Sequence, residues 1–134
     1  MRGADLQGAK GINKYLTTPL YMLFNQPGKI RAYKLVNQKG EGIYRGGLVY
    51  EIDKRISVDE WDDSESEQCG AGINLATLDW CIREWREGLR ILICEFTATD
   101  IVCVPIGSDG KFRVKSCTPV AELDLAKYGI GVKP

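Results

Sequence analysis

Hydrophobic and polar positions switch period several times along this chain, and each switch marks an element. Residues 30–37 alternate, with Ile30, Ala32 and Lys34 to one side and Arg31, Tyr33 and Leu35 to the other. Both sides carry apolar residues, the pattern of a strand covered on two faces. Leu89 to Phe96 alternates in the same way, Ile91, Ile93 and Glu95 against Leu92, Cys94 and Phe96. Ile43 to Ile52 reads as a further strand interrupted at Gly46-Gly47, where paired glycines signal a bulge or a close backbone approach. Ile101 to Val104, stopped by Pro105, and Lys111 to Cys117, with Phe112 and Val114 inward, are two more strands, separated by a tight turn at Gly107-Ser-Asp-Gly110. Thr118 to Leu125 reads as another. The period lengthens to that of a helix at residues 75–87, where Leu75, Leu78, Ile82 and Trp85 mark one face with Cys81 beside it. Asn74 is the expected N-cap, Gly88 the expected C′ residue, and Asp79 with Arg83 an i,i+4 pair on the far side. Trp80 falls off that stripe. The apolar cluster from Tyr15 to Phe24 is short, a helical turn or strand closed by Asn25-Gln-Pro-Gly28 and leading into Ile30.

This order predicts an α+β domain, a mostly antiparallel sheet with one main packed helix. The domain is expected over 15–125, after a loosely ordered arm at 1–14 and before a trailing segment at 126–134. Within the arm, Ala4-Asp-Leu-Gln-Gly8 followed by Ala9 has the form of one pentapeptide-repeat unit, but Gly11 stands where a second unit needs Leu. One unit cannot stack on itself.

Composition narrows the chemistry. The chain has 134 residues, 18 basic and 18 acidic side chains and no histidine. Zero formal charge argues against duplex nucleic acid as a partner. Without histidine, Ser-His-Asp and Cys-His triads and His-bearing zinc sites cannot be built from this chain. The five cysteines, at 69, 81, 94, 103 and 117, include no Cys-x-x-Cys spacing, and four of them lie among apolar residues of predicted elements. They read as core filler in a reducing compartment. No metal or cofactor is expected. Between Ser57 and Gln68 the chain carries six acids, Asp59, Glu60, Asp62, Asp63, Glu65 and Glu67, and no base. The spacing of a calcium loop is absent, so a solvated loop is expected, with weak cation binding or a basic partner as the alternatives. The longest apolar runs are far too short to cross a membrane, and Met1 to Leu6 has no leader-like apolar stretch, so the expected location is cytoplasmic.

Cys69-Gly-Ala-Gly-Ile-Asn-Leu75, the following helix, Ile91 to Phe96, Thr99-Asp-Ile-Val-Cys-Val-Pro105 and Asp109-Gly-Lys-Phe-Arg-Val-Lys-Ser-Cys117 together resemble a bacteriophage and prophage domain. That domain includes the C-terminal part of the phage rapid-lysis B protein, and some relatives stand beside pentapeptide repeats. The resemblance covers about residues 30–120. It departs from the family pattern at Asn74, which stands in place of a His. It implies a phage-encoded accessory domain, cytoplasmic in the host cell, that binds a protein or a small anionic ligand without catalysis. A structural component of the virion is an alternative. A remoter resemblance, carried by Gly70-Ala-Gly-Ile73, the helix and Leu92-Ile-Cys-Glu95, is to ADP-ribosyltransferases, and implies a nucleotide-handling enzyme with Glu95 as its catalytic candidate. The ligand-binding candidates are Arg31, Tyr44, Arg45 and Asn74; an arginine can hold a phosphate and a carboxylate can polarise a hydroxyl. Glu95 also has the simpler reading of a strand residue facing solvent or Lys115.

Overall fold

The alternating segments form strands, and the strands form one sheet. The computed structural model describes residues 18–43, 47–59, 72–105 and 110–131. Its strands are β1 (Ile30–Val36), β2 (Ile56–Ser57), β3 (Ile73–Ala76), β4 (Arg90–Phe96), β5 (Ile101–Cys103), β6 (Lys111–Val114) and β7 (Ser116–Glu122). Two helices, α1 (Thr18–Phe24) and α2 (Leu78–Glu84), accompany them, with 3₁₀ turns at Ala98–Asp100 and Leu125–Tyr128. Among the described residues the sheet runs β2-β7-β4-β1-β3-β6-β5, and every pairing is antiparallel. The expected α+β class is borne out. The arm at 1–14 and most of the acidic loop, with Trp61 and Cys69, lie outside the described residues.

The sheet is strongly curled. Only Lys115 separates β6 from β7, yet β4, β1 and β3 lie between them in the sheet. On a flat sheet four strand spacings would be about 19 Å, which two residues of chain cannot span. Phe96 on β4 and Phe112 on β6 are three spacings apart, roughly 14 Å on a flat sheet. Their ring centroids are 5.4 Å apart. The ends of the sheet therefore approach one another, and three backbone bonds tie the region where they meet: Val58 N–H to the Lys115 carbonyl at 3.0 Å, Lys115 N–H to the Asp100 carbonyl at 2.8 Å, and Asp100 N–H to the Thr97 carbonyl at 2.9 Å. For this reason Lys111 to Cys117 is two strands rather than the one predicted: the Lys115 backbone leaves the ladder to bond elsewhere.

Curling gives the sheet an inner and an outer apolar face. Ile30, Ala32 and Val36 of β1, Leu92, Cys94 and Phe96 of β4, and Phe112 and Val114 of β6 fill the inside with Leu20, Leu23 and Phe24 of α1. Phe24 meets Phe112 edge to face, with centroids 5.0 Å apart. Outside, Trp80 and Cys81 of α2 lie on Leu35, Ala76, Ile91 and Leu123. The alternation read for β1 and β4 is the division between these two clusters.

Two expectations are corrected. The helix predicted at 75–87 is Leu78–Glu84, because Ile73 to Ala76 is committed to a ladder with β6, with Leu75 opposite Phe112. Asn74 is therefore a strand residue. Thr77 is the N-cap, its hydroxyl accepting from Trp80 N–H and donating to Asp79 at 2.6 Å. The packed face is shifted rather than replaced: Trp80 and Cys81 are buried, Leu78 and Trp85 of the predicted stripe pack partly against the same cluster, and Ile82 is 37% exposed. The Asp79–Arg83 pair forms as expected, at 3.8 Å on the surface. The strand predicted at Ile43 to Ile52 is not formed by its described residues, which contribute a single bridge, Glu41 to Val49. The Asn37 side chain accepts from the N–H groups of Lys39 and Glu41, and Gly40 takes a φ of 83°, so the chain turns tightly after β1 and leaves the ladder. Tyr50 returns to the core, its N–H on the Gly40 carbonyl.

Candidate functional site

On the outer face α2 covers only one part of the sheet. Beyond its reach the strands carry polar residues at every second position. Antiparallel register places Arg31 opposite Glu95, and Glu95 opposite Thr118. Continuing the β2–β7 pairing by one residue brings Arg55 to the same row. Two residues further along each strand, the next row holds Lys29, Thr97, Ser116 and Ser57. Period-two alternation keeps both rows on one face.

A cleft of about 160 Å³ opens here, lined by Lys29, Arg55, Glu95, Thr97, Asp100 and Thr118 among others. Each charged group in it is held differently. Glu95 accepts from Arg31 Nε at 2.8 Å through Oε2, and its Oε1 has no partner among the described residues. Asp100 Oδ2 accepts from the backbone N–H of Thr97 at 2.9 Å and from its hydroxyl at 3.0 Å, a capping box for the 3₁₀ turn, which leaves Oδ1 open. Arg55 Nε donates to Ser116 Oγ at 2.8 Å. Ser116 is in turn 2.9 Å from Ser57 Oγ and donates to the Ile56 carbonyl at 3.2 Å. The serines thus aim the guanidinium by its Nε and leave its Nη edge unoccupied. Among the described residues neither Arg55 nor Lys29 has a carboxylate partner, and the Thr118 hydroxyl has no hydrogen bond.

The residues singled out from the sequence are only partly brought together. Arg31 and Glu95 face one another, and Glu95 lines the cleft, so Arg31 rather than Lys115 or solvent is its partner. Asn74 shares their face of the sheet but stands four residues along β1 from Arg31, opposite Leu35 when the β1–β3 register is extended. There its Oδ1 accepts from the buried Arg113 at 3.3 Å, and its carbonyl accepts from Lys34 at 2.7 Å. Tyr44 and Arg45 lie outside the described residues. Sequence reasoning missed Lys29, Arg55, Thr118 and Asp100. A signal was present, because Lys29/Arg31, Arg55/Ser57, Glu95/Thr97 and Ser116/Thr118 are all polar pairs two apart. Nothing in the local pattern says that the four pairs adjoin.

The four described cysteines offer no exposed nucleophile. Cys81, Cys94, Cys103 and Cys117 are buried and in no disulfide. Burial pushes the Cys81 thiol up to about 12, and a hydrogen bond with Cys117, then burial, holds Cys94 well above the ordinary thiol range. Among the described residues no group of three or more Cys, Asp and Glu is placed to hold a metal ion, and no helix is long and apolar enough to cross a membrane. A second, wider hollow beside Trp85 and Ile130 carries Glu87, Glu122 and Asp124, and the Glu122 carboxylate is bound by Arg90 at 2.8 Å. Acids without a lining base make that hollow unsuitable for an anion.

No protein-family model, curated protein or solved structure matches the chain.

Proposed function

We propose that this chain is a non-catalytic binding domain that takes a small anionic ligand in the cleft between the ends of β1, β4, β7 and β2. The carrying observation is the pair Lys29 and Arg55, two cations lining one cleft with no carboxylate partner among the described residues, one of them aimed by Ser57 and Ser116. An arginine whose Nε is already engaged keeps its two Nη groups as a planar donor edge, the part that meets an oxyanion. Glu95 is held by Arg31, which suits a wall of the site better than a proton-transfer group. The phage accessory role implied by the family resemblance is compatible with such a domain, and we keep it as part of the proposal.

Titration calorimetry with phosphate, sulfate and succinate tests the reading. At least one should bind saturably, and Lys29→Met with Arg55→Met should weaken it by roughly tenfold or more, as loss of charged hydrogen bonds does. Added salt should weaken it too, since both cations sit near solvent. If none of the three binds, the reading fails. Transfer or hydrolysis on incubation with nicotinamide dinucleotide would replace it with the enzyme reading.

A further inference from the structure

We infer that the ligand of this cleft is a small phosphate monoester that also carries hydroxyl groups; the inference rests on the anion-binding reading above. Two features of the lining lead to it. First, three open donors come from three different parts of the chain: the Lys29 ammonium before β1, the Arg55 Nη edge before β2 and the Thr118 hydroxyl on β7. A planar carboxylate is satisfied by one guanidinium edge. A phosphate presents three terminal oxygens in three directions, which suits donors that converge from separate strands. Second, the same cleft holds two carboxylates, each with one oxygen tied down and the other open: Glu95 through Arg31 and Asp100 through Thr97. A bare anion would lie beside those open oxygens with nothing to offer them and would bind more weakly. A ligand with hydroxyl groups beyond its phosphate donates to them instead. A site built to hydrogen-bond a hydroxyl discriminates against the analogue that lacks it, because its own polar groups are then left unmatched.

Size narrows the class further. A cleft of about 160 Å³ falls below the roughly 300–1,000 Å³ of pockets for drug-sized ligands. A site of that size suits a phosphate on a short carbon chain.

Glycerophosphate and methyl phosphate, titrated in parallel with succinate and glycerol, separate the possibilities. Glycerophosphate should bind at least about tenfold more tightly than methyl phosphate, the scale of one or two hydrogen bonds to charged acceptors. Glycerol alone should not bind, and succinate should be weaker than either phosphate. Glu95→Gln should shrink the ratio between the two phosphate esters at least about threefold, since a neutral amide oxygen is a weaker acceptor. Equal affinity for the two esters in the native protein overturns this inference without any variant. Tighter binding of succinate, weakened by Arg55→Met, also overturns it while leaving the anion-binding reading intact. Absence of binding by every anion overturns both.

Discussion

Cys81, Cys94, Cys103 and Cys117 show how one side chain serves as packing here. All four are buried, out of reach of a reagent in solution. A thiol reagent at pH 8 should label no more than one group per native chain, Cys69 being outside the described residues, and five after denaturation; two or more native labels would contradict this packing. The same burial makes stability depend on alkaline pH. Unfolded, Cys81 loses its proton near 9.0; folded, it holds it to about 12, so unfolding releases a proton in that window. Its contribution is whole below about pH 9 and falls as pH rises, with a slope near 1.4 kcal/mol per pH unit for this one group. Burial raises the Tyr50 phenol as well, and the Cys94–Cys117 bond raises Cys94, so both act in the same direction. Urea midpoints measured from pH 7 to 11 should decline steadily above 9; a flat profile would show that these groups are solvated in the folded chain.

Helix α2 is decided one level higher. Its predicted stripe, Leu75, Leu78, Ile82 and Trp85, assumed a start at Asn74, but the ladder with β6 takes residues 73–76 and the helix begins after Thr77. Trp80 and Cys81 become the buried pair, while Ile82 looks outward. Gly110 supports this start: its carbonyl accepts from Thr77 N–H at 2.9 Å, and a Cβ there would collide with the Thr77 hydroxyl. Trp80→Ala should therefore cost about 3–5 kcal/mol, the range for emptying a large aromatic site. Ile82→Ala should cost less than about 1 kcal/mol, as exposed substitutions do. Chemical denaturation of the two variants orders them, and the reverse order would restore the predicted face.

For the whole molecule, closure at Lys115 ties the ends of the sheet together beside the site. β2, β7 and β4 are neighbours in the sheet and set Arg55, Thr118 and Glu95 in one row, and the bond from the Lys115 N–H to the Asp100 carbonyl holds Asp100 next to them. Lys115→Pro removes the N–H that reaches the Asp100 carbonyl. It should cost about 1–3 kcal/mol, the range for a buried hydrogen-bond group left without its partner, and binding at the cleft should weaken in parallel if the protein still folds. A loss under about 1 kcal/mol in urea unfolding would mean that the sheet does not need this closure.

Strand periodicity in β1 and β4, the α+β class and the core role of four cysteines were legible in the linear order, because each follows from which residues can be buried within a few positions of one another. Glu95 entered as a candidate through the resemblance to ADP-ribosyltransferases, while the strand pattern alone read it as an ordinary strand residue. The bounds of α2 were not legible, since a short apolar run suits a helix until a partner strand claims its first residues. Nor was the cleft: Lys29, Arg55, Thr97 and Thr118 are far apart in the chain and ordinary where they stand. Register decides which polar pairs share a row, and register is a non-local choice: each strand slides until its apolar residues, Phe96 and Phe112 among them, face the inside together.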